Sequence, residues 1–204
     1  LKELDLSHGA IITANHFNPL DSLCERKVVE KLLKRKMYTV IQDTNLAMSG
    51  NLGFLMNYMD VIPISKSPEY LIKTFSQELK KALDKGNIVL IYPEEEMWFN
   101  YRKPRPLKRG AYQFAYEFNV PIISCFVEMI DTNVDDNDEF YEVIYKIHIL
   151  KPILPDKNKT MKTNSIEMSN IDYTQKKEMY EKVYKKKLDY TFELNDIAGL
   201  KREI

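Results

Sequence analysis

Residues 9–21 read Gly-Ala-Ile-Ile-Thr-Ala-Asn-His-Phe-Asn-Pro-Leu-Asp. Gly9 to Ala14 is a short apolar run with β-branched residues, the pattern of a buried strand. The run ends at Asn15-His16, and a helical pattern begins at Asp21, with Leu23, Val28, Leu32 and Leu33 among charges up to Lys36. Asn18 and Pro19 supply a chain reversal between the two. This strand–turn–helix unit predicts an α/β fold, because a buried strand that feeds a helix needs a parallel partner beyond it. It also returns a carboxylate to the neighbourhood of an imidazole five residues earlier. That is the pairing a general base needs: His titrates near neutrality, and an adjacent carboxylate fixes its tautomer and supports its cation. By spacing alone, a loop histidine beside an aspartate that caps a helix is the simpler reading, since the pattern is short and Asp is a common cap.

The pattern continues outward. Met37 to Ile41, Val61 to Ile64 and Ile88 to Tyr92 read as strands, the last as the central one. Ser67-Pro68-Glu69 is a helix start. The helix it opens carries Leu71, Ile72, Phe75, Leu79, Ala82 and Leu83 on one face and stops at Gly86. Ala111 to Phe118 reads as a short helix. Pro121 to Met129 and Tyr141 to Leu150 read as two further strands around an acidic turn, Asp131 to Glu139. Residues 156–170 read as a loop, and Tyr173 to Leu188 as a charged surface helix. The expected architecture is a single α/β domain over 1–204, with a mixed, mostly parallel sheet flanked by helices. Its motif-bearing core covers 9–150 and a strand/helix extension covers 151–204.

Composition narrows the function. The 204 residues hold 30 basic and 30 acidic side chains, which argues against nucleic acid as a partner. Two cysteines without close spacing and three histidines imply neither a disulfide scaffold nor a metal site, and a reducing compartment is the simpler expectation. Cys24 and Cys125 read as structural thiols rather than nucleophiles. No run of about 18 apolar residues marks a membrane span. The chain begins with Leu1, and any N-terminal anchor is expected to lie outside it.

Further segments carry chemistry. Glu94 follows a strand and a proline, at the C-terminal strand edge where α/β sheets place their sites. It is placed to bind a substrate hydroxyl, to orient a basic partner or simply to cap. Arg102, Lys103, Arg105, Lys108 and Arg109 lie within eight residues, just after Trp98, Phe99 and Tyr101. Basic groups suit phosphate, and amphipathic aromatics suit a membrane boundary. A solvated basic loop is the plainer alternative. The apolar stretch Asn45 to Met59, which includes Phe54, Leu55 and Met56, suits the lining of an apolar ligand site, a membrane face or ordinary core.

Asn15-His16-Phe17-Asn18-Pro19-Leu20-Asp21 after its strand resembles the first motif of the glycerolipid acyltransferase family, which includes the 1-acylglycerol-3-phosphate acyltransferases. Val61-Ile62-Pro63-Ile64-Ser65-Lys66 resembles its second block. Tyr92-Pro93-Glu94-Glu95-Glu96-Met97 resembles the third, usually written F-P-E-G-T-R, and Val120-Pro121-Ile122-Ile123-Ser124 the fourth. Pro106-Leu107-Lys108-Arg109-Gly110-Ala111 resembles the family's P-F-K-x-G-A, and the loop after Glu94 is similar to that of a Gram-positive bacterial subgroup. The likeness covers residues 9–125. Asp60 stands where block two has glycine, Lys66 where it has arginine, and Met97 where block three has arginine.

The resemblance implies an O-acyltransferase of phospholipid biosynthesis that moves a fatty acyl group from an acyl thioester to the hydroxyl of a lysophospholipid, foremost 1-acylglycerol 3-phosphate. His16 and Asp21 are the implied catalytic pair. Asn15, Lys66, Glu94, Arg102, Arg105 and Lys108 would bind substrate, and Phe54, Leu55, Met56, Trp98 and Phe99 would face the acyl chain or membrane. No metal or bound cofactor is implied; acyl-CoA, acyl carrier protein or acyl phosphate would be the donor. The expected location is the cytoplasmic face of a membrane, by peripheral contact or through an anchor. Glycerol 3-phosphate or another lysolipid as acceptor, a thioester hydrolase, and a non-catalytic lipid-binding or scaffold module of the same fold stay open.

Overall fold

The computed structural model describes residues 4–46, 50, 60–65 and 67–201. Six strands form one sheet in the order β3-β2-β4-β1-β5-β6. They are β1 (Ala10–Thr13), β2 (Met37–Gln42), β3 (Val61–Ile64), β4 (Ile88–Ile91), β5 (Ile122–Asp135) and β6 (Tyr141–Ile149). The first five run parallel and β6 returns antiparallel to β5. All four residues of β1 are buried, as expected of a strand covered on both faces.

Each parallel neighbour needs a crossover, and the helices supply it. α1 (Ser22–Val28) continues as a π-helical turn, Val29–Leu33, and leads to β2. Beyond α2 (Asp43–Leu46) and β3, α3 (Pro68–Tyr70) opens on Ser67, whose hydroxyl accepts from the Tyr70 N–H. It runs through a second π-helical turn, Leu71–Phe75, into α4 (Ser76–Asp84). Phe75, Leu79, Ala82 and Leu83 face the sheet, as their spacing predicts, whereas Ile72 is 74% exposed. α5 (Gly110–Phe118) joins them on the same core. The opposite face of the sheet packs Val29 of the first crossover against Ala10, Ile12, Met37, Ile88 and Leu90. Entry into β1 requires glycine: Gly9 has φ +70°, and a Cβ there would lie 2.1 Å from the Asn87 carbonyl oxygen.

The C-terminal third differs from its sequence reading. β5 extends to Asp135, so half of the expected acidic turn is strand. Residues 161–170, expected as loop, belong to α6 (Met161–Tyr184), capped by the Thr160 hydroxyl, which accepts from the Thr163 N–H. α6 is not a surface helix either. Asp172 and Lys176 are completely buried. The Asp172 carboxylate accepts from Thr13 Oγ1 at 2.6 Å, Tyr112 Oη at 2.6 Å, Ser124 Oγ at 2.5 Å and Lys176 Nζ at 2.5 Å. Lys176 Nζ also donates to Thr13 Oγ1. One buried ion pair thus ties α6 to β1, β5 and α5. Periodicity missed it because polar side chains on an inward face look like a solvated stripe.

Removing one partner of such a pair strands the other charge in the core. Lys176→Ala should lower unfolding free energy by about 3–5 kcal/mol, measured by urea denaturation.

Candidate active site

The register of the sheet assembles the site. Thr13 of β1 pairs with Ile91 of β4, so the residues that follow each strand leave the same edge side by side. Asn15 holds β1 against β5 by accepting from the Val127 N–H at 2.8 Å and donating to the Val127 carbonyl at 3.2 Å. Its amide therefore acts within the sheet and does not line the adjoining cavity.

His16 Nδ1 donates to Asp21 Oδ2 at 2.8 Å, and the same oxygen accepts from the backbone N–H groups of Phe17 and Asn18. Asp21 opens α1 yet makes no side-chain cap bond; its carboxylate turns back to the histidine. Asp21 is 2% exposed and the His16 side chain 23%, so the carboxylate is sheltered and the imidazole is reachable. With the Nδ1 proton held by Asp21, Nε2 carries the lone pair. Tyr92, at the end of β4, stacks its ring on the imidazole at 4.1 Å and 11°, and its hydroxyl donates to Asp21 Oδ1 at 2.6 Å.

Glu94 stands behind this pair. Its Oε2 accepts from the His16 N–H at 3.3 Å and from Arg105 Nε and Nη2, and its Oε1 accepts from the Arg105 N–H. Burial pushes the Glu94 carboxyl up and Arg105 pulls it back. Of the roles expected for Glu94, the geometry provides the orienting one: the carboxylate braces the His16 backbone and holds a basic partner. The Arg105 guanidinium lies over the Trp98 ring at 4.8 Å, and Glu95 takes the left-handed φ of +65°.

A cavity of about 1050 Å³ opens beside the pair. Val40, Ile41, Leu71, Phe75, Ile91 and Phe114 form much of its wall. Asp43, Glu95 and Glu96 also line it, and Lys108 is its one lysine or arginine among the described residues. The rest of the basic loop points elsewhere. Arg102 donates to the Met129 and Asn195 carbonyls and pairs with Asp131; Lys103 is buried against Asp196 and the Thr191 carbonyl. The expected cluster of phosphate-binding cations is thus divided. Arg102 and Lys103 fasten the C-terminal segment, Arg105 fastens Glu94, and Lys108 faces the cavity. Trp98 and Phe99 are about half exposed. Lys66, Phe54, Leu55 and Met56 lie outside the described residues. Asp60 pairs with Lys36 at 2.6 Å.

Three features escaped the sequence reading. Tyr92 was legible only as a strand end. The C-terminal segment packs beside the active-site loop, with Tyr101 bridging Ile197. Glu25, one turn beyond Asp21, is fully enclosed, and neither carboxyl oxygen has a hydrogen-bond partner among the described residues. Burial first, and then Asp21, push its pKa well above the usual carboxylate range. The thiols of Cys24 and Cys125 are pushed up to about 11 and about 12 by burial, which makes both poor nucleophiles. No group of three or more metal-ligating side chains occurs among the described residues, and no helix there is long and apolar enough to cross a membrane.

The α/β sheet thus presents a hydrogen-bonded His–Asp pair just beyond its central strands, beside a large cavity with a mainly apolar wall. The chain belongs to the acyltransferase family, whose sequence model matches residues 1–128. Among solved structures it is similar to PlsC, the 1-acyl-sn-glycerophosphate (LPA) acyltransferase of Thermotoga maritima, with a TM-score of 0.52 and 15% identity. The likeness covers 84% of this chain but only 66% of that one, and at this identity it speaks for the fold. A search of curated proteins finds no match.

Glu25 generates a stability prediction. Folding raises its pKa, so the ionisation-linked cost of burial is absent below the unfolded carboxylate value and grows as pH climbs from there toward the folded value. Glu25→Gln removes the ionisable group. Its melting temperature should exceed wild type at pH 8 and converge with it near pH 4, as read by thermal melts across that range.

Proposed function

We propose that the domain transfers a fatty acyl group from an acyl thioester to the free hydroxyl of a lysophospholipid, with His16 as general base. The observation that carries this reading is the 2.8 Å His16–Asp21 hydrogen bond on the wall of an apolar cavity large enough for an acyl chain. The acceptor O–H gives its proton to His16 Nε2 as the oxygen attacks the thioester carbonyl. The tetrahedral intermediate then collapses, the C–S bond breaks, and the imidazolium returns the proton to the departing sulfur. Asp21 holds the tautomer and supports the transient cation. No acyl-enzyme is needed. Coenzyme A, acyl carrier protein and acyl phosphate stay open as donor carriers, the last with phosphate as its leaving group.

Lys108 is the cavity cation for the acceptor's phosphate. Membership of the acyltransferase family and the likeness to the Thermotoga LPA acyltransferase favour 1-acylglycerol 3-phosphate. A second reading is an acceptor whose headgroup also carries an ammonium, which the carboxylates of Asp43, Glu95 and Glu96 favour. The half-exposed Trp98 and Phe99 suit a membrane surface. We assign the domain to the cytoplasmic face of a membrane.

The test is acceptor-dependent thiol release from a long-chain acyl thioester, comparing lysophosphatidate with lysophosphatidylethanolamine. His16→Ala should lower turnover by about 10²–10⁴-fold with the fold retained; near-normal turnover overturns the mechanism. Lys108→Ala should raise the acceptor KM several-fold with kcat little changed. Release that ignores the acceptor would indicate a hydrolase.

A further inference from the structure

We propose that Tyr92 is a positioning residue of the active site: its hydroxyl anchors the second oxygen of Asp21 while its ring clamps His16, and together they set the proton affinity of the imidazole. The proposal deepens, and rests on, the reading of His16 as the base.

The geometry assigns distinct partners to the two Asp21 oxygens. Oδ2 accepts three bonds, from His16 Nδ1 and the N–H groups of Phe17 and Asn18. Oδ1 accepts from one donor among the described residues, the Tyr92 hydroxyl at 2.6 Å. Without that hydroxyl one oxygen of a 2% exposed carboxylate would lose its donor, with little water to replace it. A carboxylate with fewer donors holds its charge less stably and attracts a neighbouring proton more strongly. The Tyr92 bond therefore lowers the pull of Asp21 on a proton at His16 Nδ1. The ring does a second job. Stacked at 4.1 Å and 11°, it fixes the plane of the imidazole and so the direction of Nε2.

The titratable groups around this cluster act differently from Asp21. From α1, Cys24 and Glu25 face it, both driven toward their neutral forms by burial. From β5, the Cys125 thiol is likewise neutral, and from β6 the Tyr145 hydroxyl is raised by burial and donates to Asn100. Glu94, beyond the Tyr92–Pro93 bond, is tied to Arg105. Burial, with Glu25 and Asp21 nearby, holds the Tyr92 phenol well above its usual range, so it stays a donor. Asp21 is thus the one carboxylate paired with the imidazole among the described residues, and Tyr92 acts on it directly.

Tyr92→Phe keeps the ring and deletes the bond. With only three histidines, His16 is assignable in a histidine-selective NMR titration by comparison with His16→Gln. The His16 pKa should rise by about half a unit in Tyr92→Phe. The acid limb of kcat/KM should move up with it, and kcat should fall about three- to tenfold. A thermal melt confirms folding, and Tyr92→Leu, which also removes the ring, should cost more kcat than Tyr92→Phe. An unchanged His16 titration in Tyr92→Phe overturns the proposal. The titration needs no turnover, so absence of acyl transfer with every lysolipid would sink the functional reading and still leave the role of Tyr92 decided.

Discussion

Parallel pairing of β1 with β4 is the constraint on which the site depends. Thr13 opposite Ile91 brings the first motif and the segment after β4 out of the sheet together. A slip of one residue would turn Ile11 and Ile12 to opposite faces and separate His16 from Tyr92. Several devices resist that slip. Gly9 admits the strand where no side chain fits, Asn15 fastens its end to Val127, and Thr13 is bonded to the buried carboxylate of Asp172. The chemistry at the edge is held from below by polar contacts that do not touch the cavity.

The electrostatics follow from how donors are distributed. Among the described residues Asp21 receives four hydrogen bonds and Glu94 is satisfied by Arg105 and the His16 amide, whereas Glu25, one helical turn from Asp21, receives none. Three buried carboxyls within a short stretch of space are therefore driven to different roles by their surroundings alone. Burial raises the Glu25 carboxyl well above the usual carboxylate range, and no hydrogen-bond donor among the described residues offsets it.

Much of the fold was legible because its strands are apolar and its helices amphipathic. Val61–Ile64, Ile88–Ile91 and the Ser67 cap stand where pattern and capping chemistry put them. The strand β6 and the second half of α6 were legible too, but the start and the burial of α6 were not, since it buries Asn164, Ser165, Asp172 and Lys176 where a helix normally buries leucine. The proximity of His16 and Asp21 was readable from a turn of five residues. The position of Tyr92 over His16 depends on strand register, which no local pattern encodes. Cavity-facing Lys108 cannot be told from Arg102 by composition, because the difference lies in the chain segments 189–200 packed against the loop.

Those packed segments are the reason one loop can be rich in arginine and lysine and still offer a single cation to the cavity. Buried guanidinium and ammonium groups must be paired. Lys103 meets Asp196 at 2.7 Å with both side chains enclosed, Arg105 meets Glu94, and Arg102 reaches Asp131 and two carbonyls. These bonds fix the loop backbone, and the backbone in turn donates from Trp98 to the His16 carbonyl and from Asn100 to the Phe17 carbonyl. The basic residues therefore hold the first motif from one side while Tyr92 holds it from the other. Where the resembled block has Gly-Thr-Arg, Glu95-Glu96-Met97 leaves the cavity wall with two extra carboxylates and no arginine among the described residues. The cavity wall thus sets the Lys108 ammonium, its one lysine or arginine among the described residues, beside the carboxylates of Asp43, Glu95 and Glu96, so the anions offset much of its field.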